Sequence, residues 1–526
     1  MGLYEKPKTK VKRKIEGDEL VAYLDELIIK AKNGFENYRS DFENLINAYL
    51  LKGDELAREK FNKTNRSNLY IPKLNAKAKY LITSLNDVYF NSERMADIEN
   101  YINSDETIIK MWQDAIDFYT QKLNLFKTFQ PLFLDAIILG TSVAKVTWHK
   151  DSPRIEKVNL DEIFFDPNAS NDEDVNYIVN EIYLNYDEIL NRMDKGFYEK
   201  KDLSEYFLDE KEKYKKVRLY DIYEKIDGVW VVCTLFEEEL LRKDIELIDG
   251  QPFIWGSMLP QMKSFDDENY ICAYGESVMG AALSLQSEIN ITRNLLIDAM
   301  RTHLMPKLTL PKSSGVSRED IETIGKPLYL NEPSAINILP QANINSSSAN
   351  LTLLESELTE VTGVSPQNNG AQTANNETAT EISIKAQEGG RRSADYIRQY
   401  NETFIEPLFD RFAMLVFKYA SDEFFGGFQR IDIPSFRFKI QTGTGAMNKE
   451  VRRAGLQASM QVFSQLYQMY MSIGDTQSAY NIIKANENLV KELLPILGIK
   501  NANSLLSMQN ENHTSLMQEQ MTIQGF

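Results

Sequence analysis

Long apolar runs, cysteine and histidine are all scarce in this chain, and each scarcity closes a class of function. No stretch approaches the roughly 20 consecutive apolar residues that a bilayer span requires. The opening MGLYEKPKTKVKRK is basic but has no apolar segment behind it, so neither a secretory signal nor a membrane anchor is expected. Cys233 and Cys272 are the only cysteines, in unrelated contexts. That is too few for a disulfide framework and lacks the paired spacing of a zinc site, which fits reducing surroundings. His149, His303 and His513 are far apart, and no Ser/His/Asp, Cys/His or His-rich metal arrangement is legible. His303, near a helix end, reads as a C-terminal cap. The expectation is a structural protein with no catalytic residue, metal or cofactor.

Positive charge is also short. Against 77 acids stand 59 bases, a net charge of −18, which argues against wrapping nucleic acid by neutralising phosphates. Two apparent motifs dissolve on inspection. Asp166, Asn168, Ser170, Asp172 and Asp174 alternate like a calcium loop, but Asn171 stands where glycine is needed and Tyr177 where the bidentate glutamate belongs. Gly443 to Lys449 lacks the spacing and the following Ser/Thr of a phosphate loop.

What is present is an ordinary globular composition, 526 residues and 43% hydrophobic, enough for two to four domains by length. Helical periodicity runs from Asp18 to about Glu59 and predicts two helices parted near Asn33-Gly34. A second helical block spans Ser104 to Gly140, with a restart or kink at Pro131 and a stop at Gly140. The period then falls to two at Val143 to His149. Further strands are predicted at Tyr177 to Leu184, followed by a capping box from Asn185 to Glu188, and on both sides of the Asp227-Gly228 turn.

Residues 275 to 303 return to helix, with Val278, Ala281, Leu285, Ile289, Leu296 and Met300 on one face. Ser287, Asn290, Asn294, Asp298 and Arg301 form the other. A proline- and glycine-interrupted β excursion follows. Helix resumes near Ser348 with Leu351, Leu354, Leu358 and Val361, and stops at Gly363 and Pro366. The loop Ser365 to Asn376 carries no charge. Another capping box, Thr378 to Glu381, opens a helix of about forty residues, for which Gly389-Gly390 and Pro407 predict kinks. A strand-like Phe436 to Gln441 and two amphipathic helices complete the chain. The fold class expected is α+β, predominantly helical.

The order of parts between Tyr274 and Gly445 resembles the tailed-phage portal, or head-to-tail connector, family, closest to portals of short-tailed P22-type phages. YGESVMGAALSLQSEINITRNLLIDAM resembles the first stem helix, with its G-x-S start and Q…E-x-N…R…D spacing. VTGVSPQNNG followed by ETATEIS resembles the stop of the second stem helix and the tunnel loop, FIEPLFDRF the kink of the long wing helix, and IFFDPNAS a D-P-x-A turn of the wing.

The resemblance implies a portal fold of wing, stem, clip and crown, assembled as a ring, twelve subunits in the family, around a central channel. It divides the chain into a helical and α+β wing at 1–274, a first stem helix at 275–303, a clip at 304–348 and a second stem helix at 349–363. A tunnel loop at 364–377, a kinked wing helix and strand at 378–446 and a helical crown or barrel with tail at 447–526 complete the division. Implied partners are copies of itself, double-stranded DNA passing through the channel, terminase, the major capsid or scaffolding protein, and tail adaptors. The implied place is the capsid vertex at the head–tail junction, after assembly in the host cytoplasm.

Expected tunnel-loop residues facing DNA are Ser365, Gln367, Asn368, Asn369, Gln372 and Asn375. Candidate acidic linings of the channel are Glu288, Asp298, Glu355, Glu357 and Glu360, with a solvated helix face as the open alternative. Clip-interface candidates are Lys307, Lys312, Tyr329 and Asn331. Lys6, Lys8, Lys10, Lys12, Arg13 and Lys14 form a basic arm suited to DNA or an acidic neighbour, with a floppy terminus equally open. Two other functions stay in view, a different structural protein of the head–tail junction and a packaging ATPase.

Overall fold

The computed structural model describes residues 13–51, 66–90, 96–99, 106–203, 215–263, 270–304, 344–364, 394–425 and 449–475, with short pieces and single positions beyond these. It is a mixed α+β fold whose described strands all pair antiparallel.

Helix α1, Asp18–Tyr49, is one continuous rod, where two helices were expected. Gly34 does not break it. A Cβ there would lie 3.1 Å from Ile271 Cδ1 and 3.2 Å from Pro167 Cβ, so the glycine serves a close approach to the D-P-x-A turn. Leu20, Leu24, Leu27, Ala31 and Phe35 form the buried stripe. Helix α2, Lys73–Phe90, follows an extended segment.

The next helical block does divide, at a different residue from the one expected. Helix α3, Glu106–Lys122, ends before Asn124, whose side chain accepts from Lys127 N and caps helix α4, Leu125–Ile138. Pro131 lies inside α4. A proline there forfeits a hydrogen bond at roughly 3 kcal/mol, but Phe129, Leu132, Phe133, Ala136 and Ile137 are completely buried around it. Their burial, about 1.5–3 kcal/mol for each large side chain, outweighs the lost bond.

Gly140, at φ +82°, then turns the chain into β2, Thr141–His149. This strand sits between β3, Ser152–Val158, and β9, Phe253–Ser257. Most of its residues are buried, unlike the half-buried alternation read from the sequence, because helices cover it as well as strands.

The second sheet runs in the order β4-β5-β6-β7-β8: Ile163–Phe165, Tyr177–Leu184, Val217–Ile226, Val229–Phe236 and Glu239–Glu246. Asp227 and Gly228 both have positive φ, the requirement of a type I′ hairpin. Asn185 and Glu188 make the full reciprocal capping box of helix α5, Tyr186–Asp194, which covers a small satellite core with Leu219, Phe236 and Leu241. Arg13 belongs to this body rather than to a free basic arm. Its guanidinium meets Glu224 at 2.6 Å and Asp244 at 3.0 Å. Lys6, Lys8, Lys10 and Lys12 lie outside the described residues.

Asp166 accepts from Asn168 N at 3.0 Å inside its turn, and Asn171 caps the short turn Asp172–Asp174 through Glu173 N and Asp174 N. The alternating acids are therefore turn-formers.

Helix α6, Leu283–Leu304, pairs with α7, Ile344–Thr362. Between them Leu308–Thr309 (β10) and Asn337–Ile338 (β11) pair antiparallel and close the base of an excursion. Residues 394–400 are helical and run into a π-helical turn, Asn401–Ile405, directly before α8, Glu406–Tyr419, with Pro407 in its first turn. The missing N–H of Pro407 explains why the regular pattern fails just upstream. Arg437–Lys439 (β12) pairs with Asp97–Glu99 (β1), and α9, Lys449–Ile473, is the last described helix.

Candidate functional site

The Tyr274-Gly275-Glu276-Ser277 segment is where the most distant parts of the chain meet. A Cβ on Gly275 would sit 2.2 Å from Ser257 Cβ and 2.7 Å from Leu259 O, and one on Gly140 would sit 2.5 Å from Gly275 O. Gly256 likewise abuts the π-helical turn, where a Cβ would meet Phe404 Cβ at 2.7 Å. Only glycine lets these backbones touch. Gly275 N donates to Thr141 Oγ1 at 2.8 Å. Ser277 Oγ donates to Ile138 O at 2.6 Å, satisfying a carbonyl at the end of α4, and accepts from Met279 N. Glycine and serine two residues apart thus fasten α4, β2 and β9 to the start of α6. That helix begins at Leu283 behind a 3-10 turn, Gly280–Ala282, and not at 275, because this stretch of chain is engaged with its neighbours.

Along α6, Gln286, Asn290, Asn294 and Asp298 recur every fourth residue and grip the extended strap from Ser67 to Leu74. Asp298 Oδ1 accepts from Ser67 N at 2.8 Å, Asn294 Oδ1 from Leu69 N at 2.7 Å, and Asn290 Oδ1 from Ile71 N at 2.9 Å. Gln286 Oε1 accepts from Leu74 N at 2.8 Å. In return Asn294 Nδ2 donates to Leu69 O at 2.8 Å and Gln286 Nε2 to Ile71 O at 2.7 Å. The registers match physically: four helical residues rise about 6 Å and two extended residues about 6.6 Å. Each turn of helix therefore reads every second residue of the strap. The polar face read from the sequence is largely an internal face, turned to protein backbone.

The opposite helix is braced from the same N-terminal region. Lys73 Nζ meets Glu355 at 2.8 Å. Lys77, 9% exposed, donates to Thr359 Oγ1 at 3.0 Å and to Val364 O. Burial pulls the Lys77 pKa down to about 8. Leu354 and Leu358 are buried between the helices, whereas Val361, expected on the same stripe, is exposed. Gly363, at φ +67°, ends the helix.

Of the acidic candidates, Glu288 and Glu360 are exposed, Glu357 is half-buried, Glu355 is paired with Lys73, and Asp298 is engaged by the strap. Met300, read as part of the apolar stripe, is exposed, as are Ile291, Leu295 and Leu353. The loop residues Ser365, Gln367, Asn368, Asn369, Gln372 and Asn375 lie outside the described residues. So do Lys307, Lys312, Tyr329 and Asn331. Among the described residues no group of side chains is arranged to hold a metal ion, and no helix is long and apolar enough to cross a membrane.

The family model described as phage SU10 portal protein matches residues 149–525. The chain belongs to that family. The match spans well over half of this portal protein and takes in α6, the excursion, α7 and the kinked helix. The strap, α2 and the glycine at 140 stand upstream of it. Among curated proteins none matches the chain. Sequence reading missed the strap, Lys77 and Arg392 as parts of this site. The signal for the strap was present in the four-residue recurrence of amides on α6, which is denser than a merely wetted face needs.

Proposed function

We propose that this portal protein forms a ring at one capsid vertex, with a central channel for genome packaging and ejection. α6 and α7 are its stem, the 304–348 excursion its clip, and the segment after Val364 its tunnel loop. The clip, including Lys307, Lys312, Tyr329 and Asn331, docks the terminase motor first and tail adaptors afterwards. The family match carries this reading. The closed base of the excursion at Leu308–Ile338 supports it, since a hairpin-like insertion leaves and re-enters between two paired helices. Portals are structural rings, and the protein has no catalytic role in this scheme.

In such a ring Glu288, Glu357 and Glu360 present carboxylates to the channel, and repulsion of phosphate keeps DNA sliding rather than held. The uncharged 365–376 loop contacts the duplex through transient hydrogen bonds, without counterion-driven grip. Size exclusion of the purified chain with end-on electron microscopy tests the reading. A ring with an axial hole is expected; a persistent monomer or dimer across salt and concentration overturns it.

A further inference from the structure

The last turn of α7 carries more cationic support than a helix end ordinarily receives. The final carbonyls of a helix lack partners and form the negative end of its dipole. Here Leu358 O accepts from Thr362 Oγ1 at 2.7 Å, Glu360 O from Arg392 Nη1, and Val364 O from Lys77 Nζ. Lys77 comes from α2 and Arg392 from beyond residue 391, so three parts of the chain converge on one turn. Arg392 also packs its stem on Gly363, where a Cβ would lie 3.3 Å from Arg392 Cβ.

Residues 365–391 therefore leave and re-enter the fold at a single node. Lys77 is buried there although burial disfavours its charge. The charged groups facing it are Lys73 on its own helix and Glu355 across from it, and these two pair with each other. The Lys77 ammonium is thus directed at a carbonyl and a hydroxyl, which is a positioning arrangement rather than charge neutralisation.

We propose that Lys77 and Arg392 are positioning residues that pin both ends of the 365–391 segment to α7, fixing where that segment is presented to DNA in the channel. This rests on the portal reading above. The pair couples the strap-and-α2 region to the point of DNA contact, so the N-terminal brace sets loop placement as well as helix placement.

The experiment uses full-length chains carrying Lys77→Met, Lys77→Arg or Arg392→Ala. Ring yield is read by electron microscopy and nuclease-protected DNA per head in assembled particles. The amide exchange rate at Val364 is measured on the rings. Lys77→Met is expected to keep ring yield, to speed exchange at Val364 about tenfold, the equivalent of one lost charged hydrogen bond, and to lower protected DNA severalfold. Lys77→Arg is expected to restore both, and Arg392→Ala, at an exposed position, to reproduce the defect in milder form. Unchanged protected DNA in both Lys77→Met and Arg392→Ala overturns the proposal. So does loss of rings in Lys77→Met with normal DNA content in Arg392→Ala, which assigns Lys77 to stability alone. Wild-type rings that carry no DNA refute the channel reading itself, and the proposal falls with it.

Discussion

Around Gly140, Gly256 and Gly275 the chain is held by backbone packed on backbone, whereas α6 is held along much of its length by side-chain amides bonded to a strap. The first region is dry and apolar, with Phe129, Phe133, Tyr400 and Phe404 fully buried beside it. It has no spare volume, and in such packing one added methyl must displace backbone. The second region exposes Ile291, Leu295, Met300 and Leu353, and its order comes from hydrogen bonds that are individually worth only about 1 kcal/mol. A rigid foundation thus carries a helix pair whose attachment is divided into small, separable steps. Separable steps let the pair adjust without disturbing the base.

The sharpest way to break this contrast is Gly275→Ala. Its Cβ has no room beside Ser257 and Leu259, so a loss of roughly 3 kcal/mol or more is expected in denaturant unfolding. A loss below about 1 kcal/mol shows that the junction yields.

Next in size is a pH effect inside the foundation. Burial raises the Asp135 pKa to about 6 despite its 2.7 Å ion pair with Lys157. The folded value lies above the unfolded one, so this carboxyl contributes stability that is full below pH 3.8 and is lost as pH rises through about 6. Relative to Asp135→Asn, the wild type therefore loses up to about 3 kcal/mol between pH 3.5 and pH 7.5. Paired unfolding curves at the two pH values measure it, and a difference independent of pH refutes the burial argument.

The strap should yield in smaller increments. Asn290→Ala with Asn294→Ala removes acceptors for Ile71 N and Leu69 N, and about 1–3 kcal/mol is expected in total. Hydrogen exchange should quicken at those two amides while the core of β2 stays protected. Equal loss in both places would show one cooperative unit instead of two. Smallest of all, Glu288→Gln, at an exposed position, should leave stability within about 0.5 kcal/mol of wild type.

Much of the fold was legible where the signal is local. The Asn185–Glu188 capping box and the Asp227-Gly228 hairpin rest on chemistry confined to a few residues, and both are present as read. Gly34 and Pro131 misled for one shared reason: each is a local helix-breaking signal overridden by packing from elsewhere. Pro167 and Ile271 come close against Gly34, and the buried phenylalanines hold α4 through its proline. In the candidate site, the recurring Asn290, Asn294 and Asp298 face was read correctly as polar, but its partner was not legible. Periodicity reports that a face wants hydrogen bonds and is silent on whether water or a strap two hundred residues away supplies them.

By itself the sequence determined the α+β class, the absence of recognisable catalytic and metal patterns, and the order helix, excursion, helix, uncharged loop and kinked helix. These depend on composition, spacing and turn chemistry that are written within a few residues. Only the tertiary structure decided that Gly275 and Ser277 tie four elements together, that the polar face of α6 grips Ser67 to Leu74, and that Lys77 and Arg392 meet at the end of α7. Those contacts join residues far apart in the chain, and a long-range contact exists only after the folded core has brought its partners within hydrogen-bonding reach.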